Sequence, residues 1–229
     1  MRIAVVTGST RGIGRGIAEK LTKEGYTVVY SGTRPSPAVE LPEGAVYIGC
    51  DVSDSAQRKA LFDEVARRFG RLDVLVNNAG MALNRPFEET TLEEYDRIMA
   101  INARVPFILC QRCLPLLRRS ECPTIINIGS VVSHKGYARQ SAYAASKHAL
   151  LGMSKALAKE VAPEGIRVHV ISPGGVFTDM VRIARPDLTE EGMIVPEEIA
   201  ELAAFLIEHR HCGVIDEIQI HRTGKEPFL

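Results

Sequence analysis

The residues best suited to chemistry are a tyrosine and a lysine four positions apart, in the segment Tyr143-Ala144-Ala145-Ser146-Lys147. Positions i and i+4 of a helix share one face, so the phenol of Tyr143 and the ammonium of Lys147 are expected to lie close together. A phenol has an ordinary pKa of about 10, and a neighbouring ammonium favours the phenolate and lowers that pKa. Such a tyrosine could give a proton to a carbonyl oxygen as a hydride arrives, or take a proton from an alcohol.

A serine favours this interpretation over the alternative, which is a Tyr–Lys pair on a solvated helix face. Ser130 lies thirteen residues before Tyr143 and shortly after the strand candidate Thr124–Ile128. In an open parallel sheet, ligands bind beyond the carboxyl ends of the strands. A hydroxyl group at that place could hold the substrate oxygen beside Tyr143.

A glycine-rich turn follows the first apolar run, with the sequence Thr7-Gly8-Ser9-Thr10-Arg11-Gly12-Ile13-Gly14. A strand that turns through glycines into a helix directs free N–H groups and the positive end of the helix dipole at one point, which suits a pyrophosphate. The spacing is T-G-x-x-x-G-x-G and not G-x-G-x-x-G, because position 17 is Ile17. The alternative is a purely structural turn, but its place at the first strand–helix junction favours a phosphate site.

The elements that would position these residues are short apolar runs alternating with longer helical patterns. Apolar runs without strict alternation are typical of parallel strands that are covered by helices on both faces. The strand candidates are Ile3–Thr7, Thr27–Tyr30, Ala45–Gly49, Val74–Asn77, Thr124–Ile128, Arg167–Ile171 and Val214–Ile220. The helix candidates are Gly14–Glu24, Ala56–Phe69, Leu92–Leu117 (which could bend near Pro106), Tyr143–Ala162 and Pro196–Glu208.

This alternation predicts an α/β fold, with a doubly wound sheet of about seven mostly parallel strands in a three-layer αβα sandwich. We expect residues 1–229 to form a single domain, since the length requires no second one. The segments Arg34–Gly44 and Thr178–Val195 are predicted to be irregular, and long loops of this kind often cover a site.

The composition argues against several classes of partner. Lys plus Arg equals Asp plus Glu, 28 each, so a neutral chain is not expected to gather nucleic acid or anionic membranes. We see no signal peptide and no apolar stretch of about 20 residues, and we expect a cytoplasmic protein. The five cysteines do not indicate a disulfide framework. Cys110 and Cys113 could be a redox pair or half a zinc site, but buried helical thiols are favoured and we predict no metal.

Six motifs, in the same order along nearly the whole chain, resemble the short-chain dehydrogenase/reductase family in its single-domain form. They are the turn Thr7–Gly14, the segment Asn77-Asn78-Ala79-Gly80, Asn102 in Ile101-Asn102-Ala103, Ser130, Tyr143 with Lys147, and Pro173-Gly174-Gly175-Val176-Phe177-Thr178. The resemblance implies a Rossmann-type fold. The sequence departs from the family's pattern at the C-terminus, where a compact strand stands in place of a longer loop and a Gly-rich strand motif.

The resemblance implies four catalytic residues. Tyr143 would be the general acid/base, and Lys147 would bind the ribose hydroxyls and lower the pKa of Tyr143. Ser130 would orient the carbonyl, and Asn102 would position a water of the proton relay. His134 and Lys135 fall where the family's loops line the substrate pocket, although a solvated loop is the other interpretation.

The resemblance also implies a bound NADP(H) or NAD(H). An acid at the end of the second strand would favour NAD(H), but Tyr30–Arg34 has none. Arg34 and Arg11 could hold a 2′-phosphate, so we expect NADP(H) to be preferred, unless both arginines are merely solvated surface charges. The expected cofactor-binding residues are Gly8, Ser9, Thr10, Arg11, Gly12, Ile13, Gly14, Thr33, Arg34, Asp51, Val52, Asn78, Ala79, Gly80, Ile101, Tyr143, Lys147, Pro173, Gly174, Val176 and Thr178.

The expected activity is hydride transfer between the nicotinamide and a carbonyl/alcohol pair on a 3-oxoacyl thioester, a ketone or a sugar-like molecule. One rival is a non-catalytic NADP(H)-binding sensor, which would have no need of a proton-transfer group. An epimerase or dehydratase is a second rival, which usually requires a longer C-terminal substrate domain. We expect a homotetramer, with a homodimer as the alternative, paired through Leu92–Leu117 and Tyr143–Ala162.

Overall fold

Seven strands form one sheet in the computed structural model, which describes residues 1–37, 39–184 and 189–225. The strands are β1 Arg2–Val6, β2 Tyr26–Gly32, β3 Val46–Gly49, β4 Val74–Asn77, β5 Thr124–Ile128, β6 Arg167–Pro173 and β7 Glu217–Ile220. Every neighbouring pair is parallel. The predicted α/β fold with a mostly parallel sheet is therefore confirmed.

The strand order across the sheet is β3-β2-β1-β4-β5-β6-β7, so the chain leaves β1 in one direction and returns to its other side at β4. In such sheets a crevice opens beyond the carboxyl ends of the two strands where the order reverses. Here the glycine turn follows β1 and the segment from Asn78 follows β4. The two motifs therefore lie side by side at the point where this fold offers room for a ligand.

Helices cover both faces of the sheet, as predicted. One core packs Leu61 of the second helix and Leu109 of the fourth against the strands, and the other packs Ile17 and Ile199 of the first and last helices. The helices of the described residues are α1 Gly12–Lys23, α2 Ser55–Phe69, α3 Leu92–Met99, α4 Val105–Leu117, α5 Ser141–Val161, α6 Asp179–Ala184 and α7 Pro196–Glu208. Within the described ranges, no helix is both long and apolar enough to cross a bilayer.

The long helix predicted over Leu92–Leu117 is interrupted near Pro106. A π-helical turn at Ala100–Arg104 separates α3 from α4, and the N–H of Val105 bonds to the carbonyl of Ala100. Pro106 lies in the first turn of α4, where proline fits a helix. Because Pro106 has no N–H, position 106 cannot give the usual α-helical hydrogen bond to the carbonyl of Asn102. The irregular turn therefore lies just before Pro106, near the place where the sequence indicates that the helix could bend.

Two predicted segments differ from the structure at their ends. The segment Thr178–Val195 is not wholly irregular, because α6 begins directly after Thr178, whose carbonyl accepts a bond from the N–H of Arg182 (3.0 Å). Residues 185–188 of that segment lie outside the described residues. The last strand is shorter than predicted, since β7 begins at Glu217 and not at Val214.

Candidate active site

The glycine turn leaves the amino end of α1 open to a ligand. Gly8 and Gly12 have φ values of +63° and +55°, which residues with side chains rarely adopt. Among the described residues no side chain caps this helix end, and the first turn contains no acid. The N–H groups of Gly12, Ile13 and Gly14 precede the first helical hydrogen bond, so with the helix dipole they favour an anion such as a pyrophosphate.

Residues that follow β4 hold the turn in place. The Thr7 hydroxyl accepts bonds from the N–H groups of Asn78 and Ala79, both at 3.0 Å. In return, Asn78 Nδ2 donates to the carbonyl oxygens of Thr7 (2.9 Å) and Gly8 (3.2 Å). A Cβ at Gly14 would lie 2.3 Å from Asn78 Nδ2 and 2.5 Å from the Gly8 oxygen. The Asn78 amide thus supports the turn, and only glycine fits at position 14.

Other side chains of the turn also serve the fold. Ser9 is fully buried; its hydroxyl donates to the Val6 carbonyl and accepts from the Ser31 N–H, each at 2.8 Å. Ile13 packs against the core between α1 and the sheet. These residues can therefore meet a cofactor only through their backbone, whereas Arg11 is exposed at the helix end.

The far end of the crevice lies beyond β2 and β3. Thr33 and Arg34 are exposed just after β2, and the Arg34 carbonyl accepts a bond from the Tyr47 hydroxyl of β3 (2.7 Å). Asp51 and Val52 follow β3, and Val52 is 8% exposed. The structure therefore brings Arg34 and the Asp51-Val52 pair, which the resemblance implies are cofactor-binding residues, to the ends of the neighbouring strands β2 and β3.

Tyr143 and Lys147 share one face of α5 and meet Ser130 at the carboxyl end of β5. Lys147 Nζ lies 5.9 Å from the centre of the Tyr143 ring and donates to the Ile128 carbonyl at 2.7 Å. The Ser130 hydroxyl accepts from the Val132 N–H (3.4 Å) and lies near enough to the Tyr143 phenol to favour a lower pKa of that phenol. Ser130 is 8% exposed and Lys147 is 7% exposed, while Tyr143 remains partly open.

The electrostatics of this group differ from the sequence prediction. Burial raises the pKa of Tyr143, and the Ser130 hydroxyl opposes that rise. Burial lowers the pKa of Lys147 to about 8. The sequence predicts that Lys147 lowers the pKa of Tyr143, whereas in the structure desolvation dominates at Tyr143 and the Lys147 ammonium donates to the Ile128 carbonyl.

Asn102 connects the β4 segment to the helix that carries Tyr143. Its Nδ2 donates to the Met81 carbonyl (2.8 Å) and to the Ser146 hydroxyl (3.0 Å), and its Oδ1 accepts from the Met81 N–H (2.9 Å). Ser146 in turn donates to the Tyr143 carbonyl (2.7 Å). The Asn102 side chain is therefore occupied by protein groups. A relay water could bind its backbone carbonyl, which lacks the α-helical donor from position 106.

Contacts of Asn102 also fix its neighbours. A Cβ at Gly80 would lie 3.1 Å from Asn102 Oδ1, so the chain approaches the π-helical turn closely at this glycine. Ile101 lies in the same turn and is partly buried. The sequence indicates no role for Ser146 or Met81, because their partner Asn102 is 44 and 21 residues away and no local pattern predicts such bonds.

The segment after β6 reaches the glycine turn. The Gly174 N–H donates to the Ile220 carbonyl of β7 (2.7 Å), which fixes the chain just after Pro173. Val176 is buried, and the Thr178 methyl would lie 3.2 Å from a Cβ at Gly12. The predicted Pro173–Thr178 segment therefore borders the same crevice as the phosphate turn.

His134 and the Cys110–Cys113 pair, also singled out in the sequence, are contacted by or buried among other protein groups. His134, a candidate for the substrate pocket, contacts Glu217 of β7 at 2.6 Å. Cys110 and Cys113 are free buried thiols, as favoured from the sequence, and burial raises the pKa of Cys110 to about 12. Within residues 1–37, 39–184 and 189–225, no cluster of three or more His, Cys, Asp or Glu side chains could hold a metal ion.

Comparison with known proteins identifies the family. The family model described as short chain dehydrogenase matches residues 2–189. The 3-oxoacyl-[acyl-carrier-protein] reductase FabG of Salmonella typhimurium is 37% identical over 239 residues, covering 97% of this chain and 96% of that protein.

Solved structures give the same result. A metagenomic short-chain oxidoreductase in complex with NADP is 31% identical with a TM-score of 0.83, covering 97% of each chain. The 3-ketoacyl-(acyl-carrier-protein) reductase from Brucella melitensis, complexed with NADH, is 27% identical with a TM-score of 0.87, covering 96% of each chain. With the parallel sheet and the matches over nearly its whole length, the chain belongs to the short-chain dehydrogenase/reductase family and is an oxidoreductase.

Proposed function

We propose that this chain is an NADP(H)-preferring oxidoreductase that transfers a hydride between the nicotinamide and a carbonyl/alcohol pair. The observation that carries the proposal is the meeting of the Tyr143 phenol, the Ser130 hydroxyl and the Lys147 ammonium at the carboxyl end of β5. This edge of the sheet also bears the glycine turn, so a proton-transfer group and a dinucleotide site share one crevice.

The residues of the crevice fit a nicotinamide dinucleotide, which supplies or accepts the hydride when it is bound. The N–H groups of the first turn of α1 bind the pyrophosphate. Lys147 binds the ribose hydroxyls, and the Ser130 hydroxyl holds the substrate oxygen next to Tyr143. In reduction the Tyr143 hydroxyl gives its proton to that oxygen, and in oxidation the Tyr143 phenolate takes the proton from the alcohol. Asn102 holds a relay water on its backbone carbonyl.

The preference for NADP(H) is supported by charge at the crevice end near β2. Arg11 and Arg34 are both exposed, and neither forms an ion pair with another described side chain. The chain from Tyr30 to Arg34 carries no acid that would repel a 2′-phosphate. Relatives in complex with NADH and with NADP are both known, so the arginines carry this part of the proposal.

A 3-oxoacyl thioester is the first substrate class to test, because the relative named above is a 3-oxoacyl-[acyl-carrier-protein] reductase. Ketones and sugar-like alcohols are the other two classes. A panel of all three, followed by nicotinamide absorbance with NADPH and NADH, measures the substrate range. Turnover of none of them would contradict the proposed activity and favour an NADP(H)-binding sensor.

The role of Tyr143 is tested with Tyr143→Phe. The variant should bind NADPH with unchanged affinity and lose about 100-fold or more of kcat, since it lacks only the proton-transfer group. Tyr137→Phe is the control, because Tyr137 is 45% exposed on the loop after Ser130. Turnover of Tyr143→Phe within a few-fold of wild type would refute the assigned role.

The cofactor preference is tested with Arg34→Ala. Loss of a charged contact should weaken NADPH binding about tenfold or more and leave NADH binding nearly unchanged. Arg112→Ala, an exposed arginine on α4, is the matched control. Equal losses of affinity for NADPH and NADH would contradict the proposed preference for NADP(H).

The proposal also includes one domain over residues 1–229, a cytoplasmic location and a homotetramer, with a homodimer as the alternative. Assembly through the long helices is supported by exposed apolar side chains on α3 and α4, where Leu92 is 77% and Phe107 55% exposed. Phe107 lines a groove with Met99, Ala103 and Met153 of α5. Light scattering should show a tetramer that Phe107→Glu dissociates, and a wild-type monomer at micromolar concentration would contradict it.

A further inference from the structure

A single carboxylate on the last strand joins β6 to the segment that carries Ser130. Glu217 Oε1 accepts a hydrogen bond from the Ser172 hydroxyl (2.6 Å). The same oxygen lies 2.6 Å from Nε2 of His134, three residues past the start of the short helical turn Val131–Ser133. A carboxylate can only accept, so His134 Nε2 carries the proton of that contact.

Ser172 bears directly on the start of the Ser130 segment. It is fully buried, and a Cβ at Gly129 would lie 2.7 Å from its hydroxyl oxygen. The Gly129 N–H also bonds to the Ile171 carbonyl at 2.7 Å. Gly129, immediately before Ser130, therefore packs closely on the Ser172 hydroxyl, and the hydrogen bond to Glu217 fixes the orientation of that hydroxyl.

His134 closes the other end of the segment. Its backbone N–H bonds to the Val131 carbonyl (3.2 Å), and its ring reaches across to Glu217 of β7. The side chains of His134 and Glu217 are 25% and 16% exposed, so water screens their contact only in part. Glu217 thus contacts His134 at one end of the six-residue segment Gly129–His134 and, at the other end, bonds to the Ser172 hydroxyl that packs beside Gly129; Ser130 is the second member of this segment.

We infer that Glu217 is a positioning residue, which holds Ser130 in the orientation that faces Tyr143 by bonding to His134 and by orienting the Ser172 hydroxyl beside Gly129. The inference rests on the proposed function, in which the Ser130 hydroxyl binds the substrate oxygen. It assigns a role to the compact C-terminal strand, the part of the sequence that departs from the family's pattern. Displacement of a reactive group by about 1 Å can slow an enzyme severely, so a link of this kind affects kcat more than cofactor binding.

The test is a double-mutant cycle on kcat. Glu217→Ala should lower kcat about tenfold and leave the affinity for the nicotinamide cofactor unchanged. In a Ser130→Ala background the same change should lower kcat less than about twofold, because the group that Glu217 positions is gone. Asp216→Ala, an exposed acid one position earlier, is the control. An equal loss in both backgrounds would mean a merely structural role and overturn the inference.

A readout that needs no substrate separates this inference from the proposed activity. Hydrogen exchange of the peptide covering 129–134 should be faster in Glu217→Ala than in Asp216→Ala, with the core strands unchanged. Unchanged exchange in that peptide overturns the inference, even for a fully active enzyme. Faster exchange in a chain that reduces no carbonyl would support the link and contradict the proposed activity. If Glu217→Ala does not fold, His134→Ala breaks the same connection from the exposed side.

Discussion

Replacement of Lys147 by methionine should stabilise the protein while it abolishes turnover. Lys147 is 7% exposed, and its described polar contact is the Ile128 carbonyl, with no carboxylate beside it. Methionine has a similar length and no charge. The substitution therefore removes a buried cation from a site where no carboxylate of residues 1–37, 39–184 or 189–225 forms an ion pair with it.

The size of the effect follows from the pKa of Lys147, which burial lowers from 10.5 to about 8. A difference of one pKa unit corresponds to about 1.4 kcal/mol, so the penalty for burying the ammonium is about 3 kcal/mol. Loss of the hydrogen bond to Ile128 offsets about 1 kcal/mol. The free energy of unfolding should therefore rise by about 2 kcal/mol at neutral pH.

The pH dependence has a definite sign. Below pH 8 the ammonium is charged in both states, and the folded state carries the whole penalty. Between pH 8 and 10.5 the unfolded chain binds the proton that the folded chain has released, so this group makes wild-type stability rise with pH. Above 10.5 the amine is neutral in both states and the penalty is gone. The advantage of Lys147→Met should therefore vanish across that interval.

Urea unfolding of both proteins at equal concentration, at about pH 7 and about pH 10, measures this difference. Lys155→Met on the exposed face of α5 is the control and should change stability by less than about 0.5 kcal/mol. A Lys147→Met protein that is less stable than wild type at neutral pH would refute the reasoning. An advantage that stays constant with pH would equally show that packing, and not the charge, is responsible.

Three further predictions concern the turn, the thiols and the proton. Gly14→Ala should abolish NADPH binding, measured by nicotinamide fluorescence, because its Cβ would displace Asn78 from the turn; binding within threefold of wild type would contradict this. Cys110 should resist iodoacetamide in the folded chain while exposed Cys212 reacts, as read by mass spectrometry, since burial raises the pKa of Cys110 to about 12; equal labelling would contradict it. Because burial also raises the pKa of Tyr143, alcohol oxidation, which needs the phenolate, should accelerate as the pH rises from neutral into the alkaline range; a rate that falls above neutral pH would contradict it.

The sheet and most helices could be predicted from the sequence because each is a local pattern. Val74–Asn77 and Thr124–Ile128 have the predicted limits, since each is a short apolar run between polar segments. The π-helical turn at Ala100–Arg104 could not be located in this way. Its hydrogen bonds shift by one residue without a change in the apolar spacing, and Pro106 indicates only that the helix is irregular nearby.

The candidate site was predictable where it depends on short motifs and not where it depends on distant partners. Ser130, Tyr143 and Lys147 were found from their spacing and their strand end. Ser146 and Glu217 were not, because Ser146 bonds to a residue 44 positions away and Glu217 to one 83 positions away. The pKa of Tyr143 was misjudged for a similar reason: the degree of burial is a property of the packed site, and the i, i+4 spacing contains no information about it.

Hydrogen bonding within the crevice divides its polar groups into supports and binding groups. Buried polar atoms must be paired, and the side chains of Asn78 and Asn102 are paired with backbone groups at two places along the crevice. The Tyr143 hydroxyl is different, because its polar neighbour among the described residues is the Ser130 hydroxyl, which can also turn toward a ligand. The Asn78 and Asn102 side chains are thus hydrogen-bonded within the protein, whereas the Tyr143 phenol and the amino end of α1 are available to a ligand. A phenol and a helix amino end are the polar groups that a carbonyl and a pyrophosphate need. The division follows from the bonds alone, so variants of the supports should reduce stability and binding together, whereas Tyr143→Phe should affect turnover only.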